Sequence, residues 1–145
     1  MQGHREWRLG STHPDFTVRR KDTLYAYQLA VAVDDIAQDI THVIRGSDLL
    51  DSTPRQIYLM QCLGSAPPQY GHFPVITDAG GHKLSKQNHA PALDDHEVDH
   101  NLRRALAFLH QRPPPASARG PSALLRFAVE HWALEDIPPV LSLPG

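Results

Sequence analysis

DFTVRRKDTLYAYQLAVAVDDIAQDITHVIRGSDLLDSTPRQIYL, residues 15–59, carries the densest run of structural signals in the chain. Asp15–Arg20 sets Phe16 and Val18 among polar residues, and this period of two predicts a short, half-exposed strand. In Tyr27–Val33, Leu29, Ala30 and Val33 fall at helical spacing, although the run is short and ambiguous. Ile40–Arg45 is rich in β-branched residues and predicts a buried strand closed by Gly46. Thr53-Pro54-Arg55-Gln56 fits a capping box, with threonine at the N-cap, proline at the first helical position and glutamine at the third. Ile57, Met60 and Leu63 then predict the apolar face of a helix that stops at Gly64.

Outward from this run the pattern continues as mixed α/β and then turns helical. His72–Ile76 predicts a short strand which, holding Pro74, belongs at a sheet edge or a strand end. Asp78-Ala79-Gly80-Gly81 predicts a turn, and Lys83–Gln87 a loop after it. Leu102, Ala105, Leu106 and Leu109 follow helical spacing. Arg112–Pro121 is proline-rich and predicts a linker. Ser122 is placed to cap a last helix with Leu125, Ala128, Val129 and Trp132 on one face, and the tail from Ile137 predicts irregular structure. The expected organisation is an irregular lead-in over 1–14, an α/β part over 15–93 and a helical region with its linker and tail over 94–145.

Composition narrows the functional classes. At 145 residues, 41% apolar and 21% charged, the chain has the size and balance of one globular domain rather than of a disordered segment. No apolar run approaches the ~20 residues that span a bilayer, and no apolar h-region follows Met1, so a cytoplasmic protein without a membrane partner is expected. Cys62 is the one cysteine, which excludes an internal disulfide framework and a multi-cysteine zinc site in this chain. A net charge of −2 argues against a surface built for nonspecific nucleic-acid binding, leaving Arg19-Arg20-Lys21 and Arg103-Arg104 as local candidates for RNA contact.

Lys83-Leu84-Ser85-Lys86-Gln87 places two lysines around a serine directly after a Gly-Gly turn. Lysine is a mobile point charge suited to phosphates whose charge shifts during reaction. The segment lacks the upstream glycines of a Walker loop, and alone it also fits an ordinary solvated turn. KLSKQ resembles the KMSKS signature of class I aminoacyl-tRNA synthetases. The longer KLSKQNHAPAL, together with Asp15–Leu59 and the HFP segment at His72–Pro74, is similar to the glutamyl-Q tRNA(Asp) synthetases, paralogues of glutamyl-tRNA synthetase. The similarity runs over about residues 15–136.

This resemblance implies an α/β fold, namely the second half of a Rossmann-type catalytic domain followed by a small helical region. It implies ATP-dependent activation of glutamate with Mg²⁺ and transfer to tRNA(Asp), at the queuosine base. It assigns Lys86 and Lys83 to catalysis, Lys83, Ser85 and Lys86 to ATP binding, and Tyr27 and Arg45 to glutamate. The family's HIGH-type motif, further amino-acid contacts and cysteine-containing zinc site precede this region and are not found in the fourteen residues ahead of Asp15. The chain is therefore expected to be inactive alone, with the N-terminal half as a partner and zinc only in that half. The competing expectations are a non-catalytic fragment that keeps ATP- and tRNA-binding elements, and a fragment of a true glutamyl-tRNA synthetase.

Other residues have plainer readings. Arg45 alternatively pairs with Asp34, Asp35 or Asp48; Tyr27 and Tyr25 alternatively pack as aromatics; Ser85 alternatively holds its turn. The acids and histidines of Asp94–His100 precede a helix, where acids favour the N-terminal dipole, and no metal site is expected there. Trp7 and Trp132 are expected to pack.

Overall fold

The computed structural model describes residues 2–10, 14–86 and 90–145, so Gln87, Asn88 and His89 of the KLSKQNHAPAL stretch lie outside the described residues. The chain forms two compact units, one of Gly3–His72 and one of Gln2 with Phe73–Gly145.

In the first unit, α1 (Tyr27–Ala37) and α2 (Thr53–Cys62) pack against each other, with Ala32 and Met60 buried. Between them, β1 (His42–Gly46) leads through a 3-10 turn (Ser47–Ser52) directly into α2. β1 pairs with β2 (Gln69–Phe73) in a two-stranded sheet. Several expectations are corrected here. Asp15–Arg20 is not a strand: it joins Tyr25 through the single Arg19–Tyr25 bridge, across a turn with Thr23 at φ +69°. Val18, Leu24 and Tyr25 all stay exposed, so no apolar face extends the pairing. β1 is only partly covered, with Ile44 exposed, rather than buried.

The capping box at Thr53 does not form. Thr53 and Ser52 before it are both in the right-handed helical region, so the 3-10 turn feeds the helix and neither is the extended residue that an N-cap requires. The buried face of α2 is also rotated from the expected one. Gln56 is 0% exposed and Met60 sits in the core, whereas Leu63 lies beyond the helix and is exposed.

In the second unit, the run expected as one strand at His72–Ile76 is divided at Pro74, which has no N–H for a ladder. β2 ends at Phe73, and β3 (Val75–Thr77) begins a different sheet with β4 (Ser142–Pro144). The β3–β4 pairing is parallel, in the register Val75–Ser142, Ile76–Leu143 and Thr77–Pro144. The tail expected to be irregular thus closes a sheet. The helices α3 (Val98–Phe108) and α4 (Pro121–Glu130) pack together with Leu106 and Leu124 buried. Gly120, at φ +79°, rather than Ser122, precedes α4, and the inward residue is Leu124, while Leu125 and Val129 are exposed.

The linker after α3 is anchored to it. Arg103 donates to the carbonyls of Pro114 (2.7 Å), Pro115 (3.1 Å) and Ala118 (2.6 Å), and Asp99 Oδ2 accepts the Gly120 N–H at 2.9 Å. Arg103 is accordingly a structural clamp rather than part of a free basic patch. Arg20 likewise pairs with Asp22 at 2.8 Å, and Arg19 donates to the Thr23 carbonyl at 3.2 Å. Trp132 packs edge-on against Phe73.

Candidate active site

Each unit carries one set of the residues singled out from sequence. In the first unit, Arg45 projects from β1 into a polar cluster built by the neighbouring elements. Its Nη2 donates to Thr53 Oγ1 at 2.9 Å, on the first turn of α2, and to the Leu49 carbonyl at 3.3 Å, in the 3-10 turn. Its Nε donates to His72 Nε2 at 3.4 Å, on β2. Thr53 Oγ1 and His72 Nε2 lie 3.0 Å apart. The guanidinium carbon stands 5.2 Å from the centre of the Tyr70 ring, and Tyr70 and His72 stack at 6.3 Å with a 9° interplanar angle. The alternation of side chains explains this convergence: residues 70 and 72 share one face of β2.

The electrostatics follow from burial around one cation. Burial pushes the Tyr70 phenol up, which the Arg45 charge partly opposes and the charges of Asp35 and Tyr27 reinforce. Tyr27, at the start of α1 and 51% exposed, therefore lies within electrostatic reach of the same phenol as Arg45. Burial raises the Asp35 carboxyl, with Arg45 opposing the rise and Asp34 adding to it. Burial and then the Arg45 charge lower the His72 imidazole, with Asp48 opposing. The Tyr70 hydroxyl is buried with no hydrogen-bond partner among the described residues. The Arg45 cation over a buried phenol that has no partner among the described residues suits a small anion that also carries donors.

In the second unit, Lys83, Ser85 and Lys86 leave a tight hairpin. Asp78 Oδ1 accepts the N–H groups of Gly80 and His82 at 2.9 Å each, and these bonds hold its carboxyl below the usual range. The N–H of Asp78 donates to the His82 carbonyl at 2.9 Å. Gly81 adopts φ +80°, a conformation open to glycine. Lys83 then bridges antiparallel to Thr77, and the Leu84 N–H donates to the Ile76 carbonyl at 2.8 Å. The glycines thus form a bound turn rather than a slack hinge. Lys83 and Lys86 are exposed and Ser85 half-buried, with the Ser85 carbonyl accepting from the Ala90 N–H at 3.1 Å.

Asp94–His100 is occupied in starting α3. Asp94 Oδ1 accepts the His96 N–H and the Asp94 carbonyl accepts from Asn101, each at 2.9 Å. No group of three or more metal-ligating side chains is found among the described residues.

The family model for tRNA synthetases class I (E and Q), catalytic domain, matches residues 7–111. The chain belongs to this family. Among curated relatives of this synthetase chain are the proteins named Glutamyl-Q tRNA(Asp) synthetase from Methylococcus capsulatus (50% identical over 140 residues, 96% of this chain and 46% of the relative) and Thiobacillus denitrificans (49% over 149 residues, 100% and 49%). The chain spans about half the length of these relatives. Among solved structures, glutamate-tRNA synthetase from Elizabethkingia anophelis is similar with a TM-score of 0.61 at 21% identity, over 88% of this chain and 30% of that one. A glutamate tRNA ligase from Elizabethkingia meningosepticum, in complex with its amino acid, gives 0.59 at 21% identity, over 88% and 29%. These structural likenesses establish a shared class I synthetase fold, here a mixture of helices and strands.

Sequence reading did not single out Tyr70, and it took Thr53 for a helix cap. It noted His72 only as part of the HFP segment. The available signal was the two-residue spacing of Tyr70 and His72 on a short strand, but their pairing with β1 is a tertiary fact.

Proposed function

We propose that this chain is the C-terminal half of a glutamyl-Q tRNA(Asp) synthetase, a ligase that activates glutamate with ATP and Mg²⁺ and passes it to the queuosine base of tRNA(Asp). The observation carrying this reading is the identity of about one residue in two with proteins of that name over nearly the whole chain. Residues 15–93 would supply the second half of a Rossmann-type catalytic domain, and 94–145 the helical region that approaches tRNA.

In this reading Arg45 and Tyr27 hold glutamate. The carboxylate meets the Arg45 cation, and Tyr27, within electrostatic reach of Tyr70, supplies its hydroxyl. Lys83, Ser85 and Lys86 bind ATP. Adenylation joins the glutamate carboxylate oxygen to the α-phosphorus and expels pyrophosphate, so negative charge grows on the leaving group. Lys86 meets that charge, and one well-placed donor of this kind lowers such a barrier by ~3–4 kcal/mol. No protein base is needed, because the attacking carboxylate is already ionised. The setting is cytoplasmic; no described helix is long and apolar enough to cross a membrane.

The test is glutamate-dependent ATP–pyrophosphate exchange with the upstream half supplied, followed by transfer of labelled glutamate to tRNA(Asp). Transfer that survives removal of the 3′-terminal adenosine but requires queuosine supports the base as acceptor. Transfer abolished by that removal identifies a glutamyl-tRNA synthetase instead. A second reading, a fragment that binds ATP or tRNA without catalysis, draws on the half-length coverage of the relatives. Binding without exchange after complementation would select it.

A further inference from the structure

We infer that Thr53 and His72 are positioning residues for Arg45: together with the Leu49 carbonyl they hold two of its three guanidinium nitrogens, so that Nη1 alone faces the anion. This rests on the reading of Arg45 as the glutamate contact and adds how that contact is aimed. A guanidinium has five N–H donors. Nη2 spends both of its own on Thr53 Oγ1 and the Leu49 carbonyl, and Nε spends its one on His72 Nε2. Nη1 has no hydrogen-bond partner among the described residues and is not among the buried unsatisfied atoms. The carboxylate is therefore gripped at one nitrogen rather than by a two-nitrogen fork.

The proton arrangement is fixed by these partners. Thr53 Oγ1 accepts from Arg45, so its own O–H is available to donate to His72 Nε2 at 3.0 Å. His72 Nε2 then accepts from both Thr53 and Arg45, which requires a neutral imidazole protonated at Nδ1. Thr53 and His72 are 2% and 4% exposed, so water does not compete for these bonds. Among the groups facing His72 are Arg45 on β1, Asp48 in the 3-10 turn, Thr53 on α2 and Tyr70 on its own strand. Burial and the Arg45 cation both oppose an imidazolium there. A protonated His72 would turn its Nε2–H toward the Arg45 Nε–H and release the guanidinium from that side.

The experiment uses the full 145-residue chain for spectroscopy and the same chain with its upstream half for kinetics. Nitrogen-15 spectra of the imidazole should show His72 neutral and protonated at Nδ1 at pH 7.5, and the Arg45 Nε–H should exchange slowly. His72→Gln, which keeps an acceptor near the Nε2 position, should keep that slow exchange. His72→Leu and Thr53→Val should each speed it at least tenfold and raise the glutamate KM about tenfold, with kcat and the ATP KM within about twofold. An Nε2-protonated or charged His72 at pH 7.5 overturns the inference without any variant. So does normal glutamate KM in folded His72→Leu and Thr53→Val while Arg45→Ala raises it. If Arg45→Ala itself leaves the glutamate KM unchanged, the glutamate reading fails, and the imidazole and Nε–H spectra still decide whether the guanidinium is held.

Discussion

Arg45 shows why keeping a positive charge is not enough at one position. Its guanidinium reaches Thr53, Leu49 and His72 at once, in a fan that an ammonium on a flexible stem cannot reproduce. Arg45→Lys is expected to raise the glutamate KM at least tenfold and to leave the ATP KM within about twofold, read in pyrophosphate exchange with the upstream half present. Equal damage to both substrates would return Arg45 to a structural part. Lys86 presents the opposite case, an exposed side chain leaving a hairpin. Lys86→Ala should cost ~10²–10³ in exchange rate with no change in melting temperature. A loss under about threefold would end its assignment to ATP. His72 sets a pH dependence. Its folded imidazole is held below the ordinary value of 6.5, so the unfolded chain binds the extra proton as pH falls. The stability is complete above about 6.5 and is lost as pH drops toward the folded value. Between pH 7 and pH 5 the wild-type melting temperature should fall more than that of His72→Gln, by on the order of a few degrees. Parallel melting curves would refute this.

At the scale of elements, the lysine hairpin depends on β4. Thr77, which bridges to Lys83, donates its hydroxyl to the Leu143 carbonyl at 3.2 Å and accepts the Gly145 N–H at 3.0 Å. Removing residues 142–145 should leave α3 and α4 intact by circular dichroism while trypsin cleaves after Lys83 and Lys86 several-fold faster. Unchanged cleavage would show that the hairpin stands without its neighbour. The same elements show what sequence makes legible. α1, α3 and α4 follow from apolar spacing, because a helix carries its hydrogen bonds within itself. β4 escaped notice, since Ser142, Leu143 and Pro144 have no strand pattern and pair only because β3 offers an edge. Thr53 misled for a related reason: a Thr-Pro-x-Gln run marks a cap only where the threonine itself is extended, and Thr53, entered from a 3-10 turn, is helical. Tyr27, Arg45 and the lysines were named through family resemblance. Thr53, Tyr70 and His72 emerge as partners only once β1, β2 and α2 meet.

At the scale of the whole molecule, the proposed function gives the chain only part of the groups that adenylation needs. Holding two reactants in line supplies ~7–11 kcal/mol of such a barrier, and Lys83–Lys86, Tyr27 and Arg45 would need opposing groups to do it. The purified chain is expected to show no pyrophosphate exchange above background, with activity restored when the upstream half is joined in cis or added in trans. Robust exchange from the chain alone would show that the upstream half is dispensable. The parallel pairing of β3 with β4 has a consequence for synthesis. The Thr77 hydroxyl waits for a carbonyl 66 residues further along. At ~5–20 residues per second, a ribosome makes that partner on the order of several seconds after the hairpin. During that interval a nascent chain holds the lysine hairpin on a strand with one open edge, and a pause before Ser142 prolongs the time in which another strand can take the place of β4.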